Sequence, residues 1–239
     1  MTVSRLPRRA VAQARLYEVA MDRRGLLAAV AAGTCAALAT GLFGRAAALA
    51  EVAPELILSD VDMADIRRVE DYLNGIQSMQ TRFQQYSADG GIAWGTIYLR
   101  RPGRLRVEYD PPVPALLVSD GIVVTYYDKE LDQVSQLPLG QTPAWFLLRE
   151  TIDLTDGITI TALERAPGAL RIAMYETDDP DGGAVSLIFS DQPLVLRQWT
   201  IIDPTGKEVR VGLDRTSFGV ELSNNLFATP VPERQTQNR

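Results

Sequence analysis

The chain is 239 residues long, 46% apolar and 23% charged, with a formal net charge of −6, no histidine and one cysteine, Cys35. Without histidine, and with its one thiol near the N-terminus, it excludes Ser-His-Asp and Cys-His catalysis and the usual imidazole or thiolate zinc sites, leaving an enzyme only carboxylate, lysine or tyrosine chemistry. The acidic balance also argues against a nucleic-acid partner, because a sheath of that sign repels phosphate backbones over a Debye length.

Residues 1–50 do not share this composition. They hold seven arginines and two acids, and the apolar run from Leu26 to Phe43 follows Arg23 and Arg24 and leads to Ala48-Leu49-Ala50, a small-x-small export cleavage pattern. The expectation is a signal peptide cut after Ala50, with Met21 as an alternative start and either the Sec or the twin-arginine route open. The run is just long enough to span a bilayer, but its alanines and glycines contribute little transfer energy. Cys35 follows Gly33-Thr34 inside this run, the wrong context for lipid attachment. Cleavage leaves 17 basic and 28 acidic side chains, a net charge of −11, and no disulfide, so a single domain of 189 residues must rest on its core alone.

Residues 51–58 read as a linker. From Ser59, with Asp60 and Asp62 as capping candidates, Val69, Tyr72, Leu73, Ile76, Met79 and Phe83 recur at three- and four-residue steps, with Arg67, Arg68, Glu70 and Gln77 opposite. This predicts one long amphipathic helix to about Tyr86, weakened in its middle by about 1 kcal/mol at Gly75 and ended by Ala88-Asp89-Gly90-Gly91. The period then changes to two. Strands are predicted over 92–101, 105–109, 115–118, 122–127, 133–137, 158–165, 170–176, 184–190, 194–202 and 208–213, separated by turn signals such as Arg-Pro-Gly, Ser-Asp-Gly and Ala-Pro-Gly. Thr142-Pro143-Ala144-Trp145-Phe146-Leu147-Leu148 interrupts them as a short helix with proline in its first turn. Residues 233–239 form a polar tail.

Ten or eleven strands at hairpin spacing make an antiparallel meander, mainly β, that must curl or close. The predicted fold is an incomplete, strongly curved barrel with the long helix across its concave mouth and short helices closing an apolar cavity. Strand parity then sorts the arginines of "RRPGRLRVEYDPP", residues 100–112. Arg101 has the phase of Ile97 and Leu99, while Leu105, Val107 and Tyr109 alternate with Arg104, Arg106 and Glu108. Three arginines are therefore expected to face water and one, Arg101, the concavity. From parity alone, Arg101 is either a rim arginine with a structural partner or a handle on the polar head of an apolar ligand.

The sequence "GTIYLRRPGRLRVEYDPP", followed by "LLVSDGIVVTYYDKELDQV", "TPAWFLL", "IIDPTGKEVRV" and "LFATPVP", resembles the periplasmic outer-membrane lipoprotein carriers of the LolA family over residues 65–232. The chain departs from the family pattern at Leu105, Val107 and Thr125, where aromatic residues are usual. The resemblance implies a cavity for the acyl chains of lipoproteins, no cofactor, and a monomer that takes cargo from an inner-membrane ABC transporter to an outer-membrane receptor or to the outer membrane directly. The family's functional arginine falls on Arg101, implying a gating or release role. The expected lining is Val69, Leu73, Ile76, Met79 and Phe83 from the helix, Ile97, Leu99, Leu105, Val107 and Tyr109 from the sheet, and Trp145, Phe146 and Leu148 as a lid. Rival readings are a lipoprotein-binding sensor or receptor on the same half-barrel, and a hydrolase using Glu108 with Asp110 or Asp128 with Glu130.

Overall fold

A computed structural model describes residues 54–142 and 145–230. The expected leader over 1–50 and the tail over 233–239 lie outside the described residues. The first helix, α1, spans Asp60–Asn74, and Ser59 starts it with a capping box: its hydroxyl accepts from the Asp62 N–H, and Asp62 accepts from the Ser59 N–H at 2.9 Å. The carboxylate of Asp62 is held down to about 2, first by its bonds from Ser59 and then by Arg165. Ile66, Val69 and Leu73 form the buried stripe.

The helix does not continue to Tyr86. Gly75 caps it, donating to the Asp71 carbonyl at 3.0 Å, and after a turn the chain enters strand β1, Ser78–Tyr86. Met79 and Phe83, four residues apart, satisfy both a helical and an alternating pattern, and here they alternate with Thr81 on the inner face. The remaining strands are β2 (Ile92–Arg100), β3 (Arg104–Tyr109), β4 (Ala115–Asp120), β5 (Val123–Asp128), β6 (Gln133–Pro138), β7 (Ile158–Ala166), β8 (Ala169–Glu176), β9 (Ala184–Ser190), β10 (Val195–Ile202) and β11 (Glu208–Phe218).

All eleven strands form one antiparallel sheet in the order β6-β5-β4-β3-β2-β1-β11-β10-β9-β8-β7. Two meanders, β1 to β6 and β7 to β11, join where β1 pairs with β11 (Phe83 opposite Leu213), and β6 and β7 remain the two edges of an open sheet. The connection between these edges holds a 3-10 turn (Leu139–Gln141) and the short helix α2, Trp145–Leu148, so this connection covers the open mouth. Bulges in β7, β10 and β11 re-aim side chains and add twist.

Helix α1 lies across the inner face. Tyr72 meets Phe189 and Phe218 edge to face, at ring distances of 5.8 and 6.4 Å, and its hydroxyl accepts from the Leu196 N–H at 3.1 Å. Ion pairs fix its first two turns: Arg165 of β7 reaches Asp62 and Asp65, and Arg68 pairs with Asp65 and Asp191. The main core, with Leu187, Phe189 and Ile172 wholly buried, fills the space between helix and sheet. A smaller apolar layer lies on the outer face, where Phe227 of a 3-10 turn (Asn224–Phe227) is buried against the side carrying Leu116 and Val118. Among the described residues no helix is long and apolar enough to cross a membrane.

Candidate functional site

Under α1 and α2 the core is incomplete. A cavity of ≈ 70 Å³ remains, walled almost entirely by apolar atoms. At ~10–15 Å³ per enclosed water it has room for about five, yet it offers them almost no partners. Its wall includes Leu73 and Ile76 from the end of α1 and the following turn, Met79 from β1, and Ile97, Leu99 and Leu105 from β2 and β3. Phe146 and Leu148 of α2 close it from the mouth.

Five expected lining residues are placed elsewhere. Val69 is wholly buried deeper in the α1 interface, and Phe83 and Tyr109 stack edge to face at 5.3 Å as a plug toward the far end of the sheet. The Tyr109 hydroxyl donates to Gln85 at 2.8 Å, and burial raises its pKa. Val107 packs against the main core, and Trp145 is outside the cavity wall, its ring 4.5 Å under the Arg149 guanidinium. Conversely, Leu147, Val185, Leu196, Trp199 and Ile201 line the cavity without having been expected. On β10 the cause is the bulge between Leu196 and Gln198: simple alternation from Leu196 would turn Gln198 and Thr200 inward, whereas the extra residue turns Trp199 and Ile201 inward, opposite Leu187 and Val185 of β9.

Arg101 is the polar exception in the cavity wall, 9% exposed. Its Nε donates to the Leu147 carbonyl of α2 at 3.0 Å and its Nη1 to the Leu73 carbonyl at the end of α1. Burial pushes its pKa down to about 10, so the guanidinium stays charged at neutral pH. One cation thus joins the last turn of α1 to the covering helix, in charge-assisted bonds to two carbonyls.

The turn that presents Arg101 is built by the two motifs around it. Gly103 has φ +74°, and a Cβ there would come within 2.6 Å of the Gly121 Cα. The Arg-Pro-Gly turn therefore stacks directly on the Ser-Asp-Gly turn, and Ser119 seals the contact by donating to the Gly103 carbonyl at 2.7 Å. In turn, the Gly103 N–H donates to the Leu148 carbonyl at 2.8 Å, a second tie to α2. Beyond α2, Asn74 bonds both ways with the Ile152 backbone, at 2.7 and 2.9 Å, and Glu70 accepts from the Leu154 N–H at 2.7 Å. Burial raises the Glu70 pKa, partly offset by that bond. The covering segment is thus anchored at Ile152 and, through the Leu139 N–H to the Ile122 carbonyl at 2.8 Å, at Leu139, with Arg101 and Gly103 holding its middle. Asn74→Ala is expected to leave both Ile152 backbone groups short of a partner and lower stability by about 1–3 kcal/mol, checked by urea unfolding.

The other arginines of the cluster do lie on the outer face, but they do not simply face water. Arg100 and Arg104, directly opposite across β2 and β3, both donate to the Asn224 side-chain oxygen, at 2.5 and 2.6 Å; Arg100 also reaches the Leu222 carbonyl and lies 5.1 Å from the Phe227 ring. Arg106 donates to the Leu226 carbonyl at 3.1 Å. They strap the segment after β11 onto the sheet. Three of the four carboxylates proposed for hydrolysis, Glu108, Asp110 and Asp128, have structural partners as well. Arg106 donates to Glu108 at 2.6 Å, Arg82 forks onto Asp110 and lowers its pKa, and Asp128 accepts from the N–H groups of Glu130 and Leu131 at 2.9 Å each. Among the described residues no cluster of three or more metal-ligating side chains occurs.

The chain is similar to several known proteins. Residues 74–230 match the family model described as outer membrane lipoprotein carrier protein LolA. An outer-membrane lipoprotein carrier protein of Azotobacter vinelandii is 30% identical over 202 residues, covering 79% of this chain and 95% of the relative. One from Pseudomonas aeruginosa is 34% identical over 180 residues, covering 72% and 86%. The crystal structure of a LolA superfamily protein from Nitrosomonas europaea aligns with TM-score 0.42 at 9% identity, over 69% of this chain and 97% of that one. An open antiparallel half-barrel, an apolar cavity under its helices, the stacked Arg-Pro-Gly and Ser-Asp-Gly turns, and a family match over most of the chain lead to one conclusion: this protein belongs to the LolA family of outer membrane lipoprotein carriers.

Proposed function

We propose that the protein is a periplasmic carrier that shelters the acyl chains of lipoproteins released from the inner membrane and delivers them to the outer membrane. The observation that supports it most is the apolar cavity with a single clamped lid. Each methylene withdrawn from water is worth about 0.8 kcal/mol, so long acyl chains need such a shelter to cross an aqueous space. The cavity in this structure is far smaller than a long acyl chain, and this reading assigns it to the cargo-free, closed state. Loading then requires α2 to swing outward between the anchors at Leu139 and Ile152, which breaks the Gly103–Leu148 bond and the Arg101 bonds to Leu147 and Leu73. Each such bond is worth about 1.5–3 kcal/mol before the cost of burying the cation is subtracted, a bias that acyl burial overcomes and that favours closure after release.

The same reading assigns residues 1–50 as a cleaved export signal, an inner-membrane ABC transporter as donor, and a receptor or the outer membrane itself as acceptor. It assigns no chemistry to the protein, in keeping with the structural partners of its carboxylates. The test uses residues 51–239 mixed with membranes that contain a triacylated lipoprotein. The expected result is a soluble one-to-one complex. Failure to extract any lipoprotein, with an apolar dye in the cavity left undisplaced by a triacylated lipopeptide, would refute the carrier reading.

A further inference from the structure

A lipid carrier must divide its cargo. The acyl chains belong in an apolar cavity, whereas the polypeptide attached to them has to leave through a polar opening that adjoins it. Two surface hollows adjoin the cavity. One lies between the Arg-Pro-Gly and Ser-Asp-Gly turns and shares Arg101 with the cavity wall. The boundary there is the guanidinium with its two carbonyl bonds, beside the Gly103–Gly121 backbone contact and the Gly103–Leu148 bond. The other is a cleft between the 3-10 turn at Leu139–Gln141 with α2 on one side and the β8–β9 connection on the other. It shares Phe146 and Val185 with the cavity, so the boundary there is two apolar side chains and no ion. A Phe146 side chain turns aside without giving up any hydrogen bond of its own.

From this we infer that the cleft between α2 and the β8–β9 connection is the binding site for the peptide that follows the acylated residue of the cargo. This inference rests on the carrier reading and adds where the polar half of the substrate goes. The chemistry of the cleft suits an extended main chain. Gly140 is exposed on its wall, and nothing lies within 4 Å of the space a Cβ would take there, so a peptide can approach its backbone closely. The Asp179 carboxylate supplies oxygens for main-chain N–H groups. Trp145 belongs to this cleft and not to the acyl cavity: half-buried, it stands at the junction of the apolar and polar compartments, where an indole suits the ester-linked head of the lipid.

The experiment uses a synthetic triacylated cysteinyl peptide and residues 51–239 with a photoreactive benzoylphenylalanine at position 141 or 179, or at position 122 beside the other hollow. Peptide cross-links from positions 141 and 179, and none from 122, are expected; cross-links confined to 122 would overturn the inference. A second arm fills the cleft by Gly140→Trp. This is expected to weaken the lipopeptide about tenfold, the equivalent of one charge-assisted hydrogen bond, while binding of a peptide-free apolar dye stays unchanged. Unchanged lipopeptide affinity, or equal losses for lipopeptide and dye, would count against it. If the wild-type protein binds neither probe, it is the carrier reading that fails.

Discussion

Replacing Arg101 by leucine is expected to leave loading intact and to slow delivery. The substitution removes the bonds from the guanidinium to the carbonyls of Leu147 and Leu73, the side-chain tie between the covering helix and α1. Against those bonds stands the cost of holding a cation among apolar groups with no carboxylate partner, the same burial that depresses its pKa. The net preference for the closed state is then about 1–3 kcal/mol, or ~5- to 150-fold. Without it, cargo enters an easily opened cavity and meets no competing bonds when it should leave. Transfer of a labelled lipoprotein from the isolated complex to acceptor vesicles is expected to slow at least fivefold. Arg101→Lys should fall between the two, because one ammonium cannot span both carbonyls as the planar fork does. Wild-type transfer by Arg101→Leu would remove the gating role.

The second large effect lies at the far end of the sheet. A Cβ at Gly95 would stand 2.1 Å from the Glu108 carbonyl oxygen and 2.5 Å from the Phe83 ring. Gly95 sits opposite Phe83 on β1 and Tyr109 on β3, so its missing side chain is what lets the Phe83 ring pack over the β2 backbone beside Tyr109. In Gly95→Ala the oxygen is backbone and cannot turn aside, so β2 and β3 must splay or the aromatic pair must lift. Overpacking of this kind costs about 1–3 kcal/mol, occasionally more, which exceeds the ~0.4–1 kcal/mol gained from a stiffer unfolded chain. At ~2–4 °C per kcal/mol for a domain of this size, the melting temperature should fall by roughly 1–10 °C. An unchanged or higher melting temperature would contradict the packing assigned to Phe83.

Which features could be read from the sequence follows from the same physics. Alternation located Arg101 because Ile97, Leu99 and Arg101 run without interruption along the inner face of β2 and into the turn after it. Ten strands were legible from period and turn residues. The eleventh, β1, was hidden because Met79 and Phe83 recur at a spacing common to both periods, and because Gly75 ends α1 in a helical conformation instead of breaking it visibly. The β10 half of the cavity was hidden for another reason: a bulge has no residue signature in Leu196-Arg197-Gln198, yet it reverses the facing of every residue after it. Trp145 could not be told apart from Phe146 and Leu148 because a four-residue helix has no period from which to tell its faces. The strap over Arg100, Arg104 and Arg106 depends on contacts between residues more than a hundred positions apart, which no local pattern carries.

On the carrier reading the small cavity is the closed state of a site whose cover, α2, moves to admit cargo. The chain from residue 51 onward has no cysteine, so single spin labels can be placed at Asp71→Cys on the exposed side of α1 and at Glu150→Cys just after α2. The distance between them, measured in the empty protein and in a stoichiometric complex with a triacylated lipopeptide, tests the claim directly. The account predicts a clear lengthening on loading, reversed when acceptor vesicles remove the lipopeptide; an identical distance in the empty and fully loaded protein would contradict it.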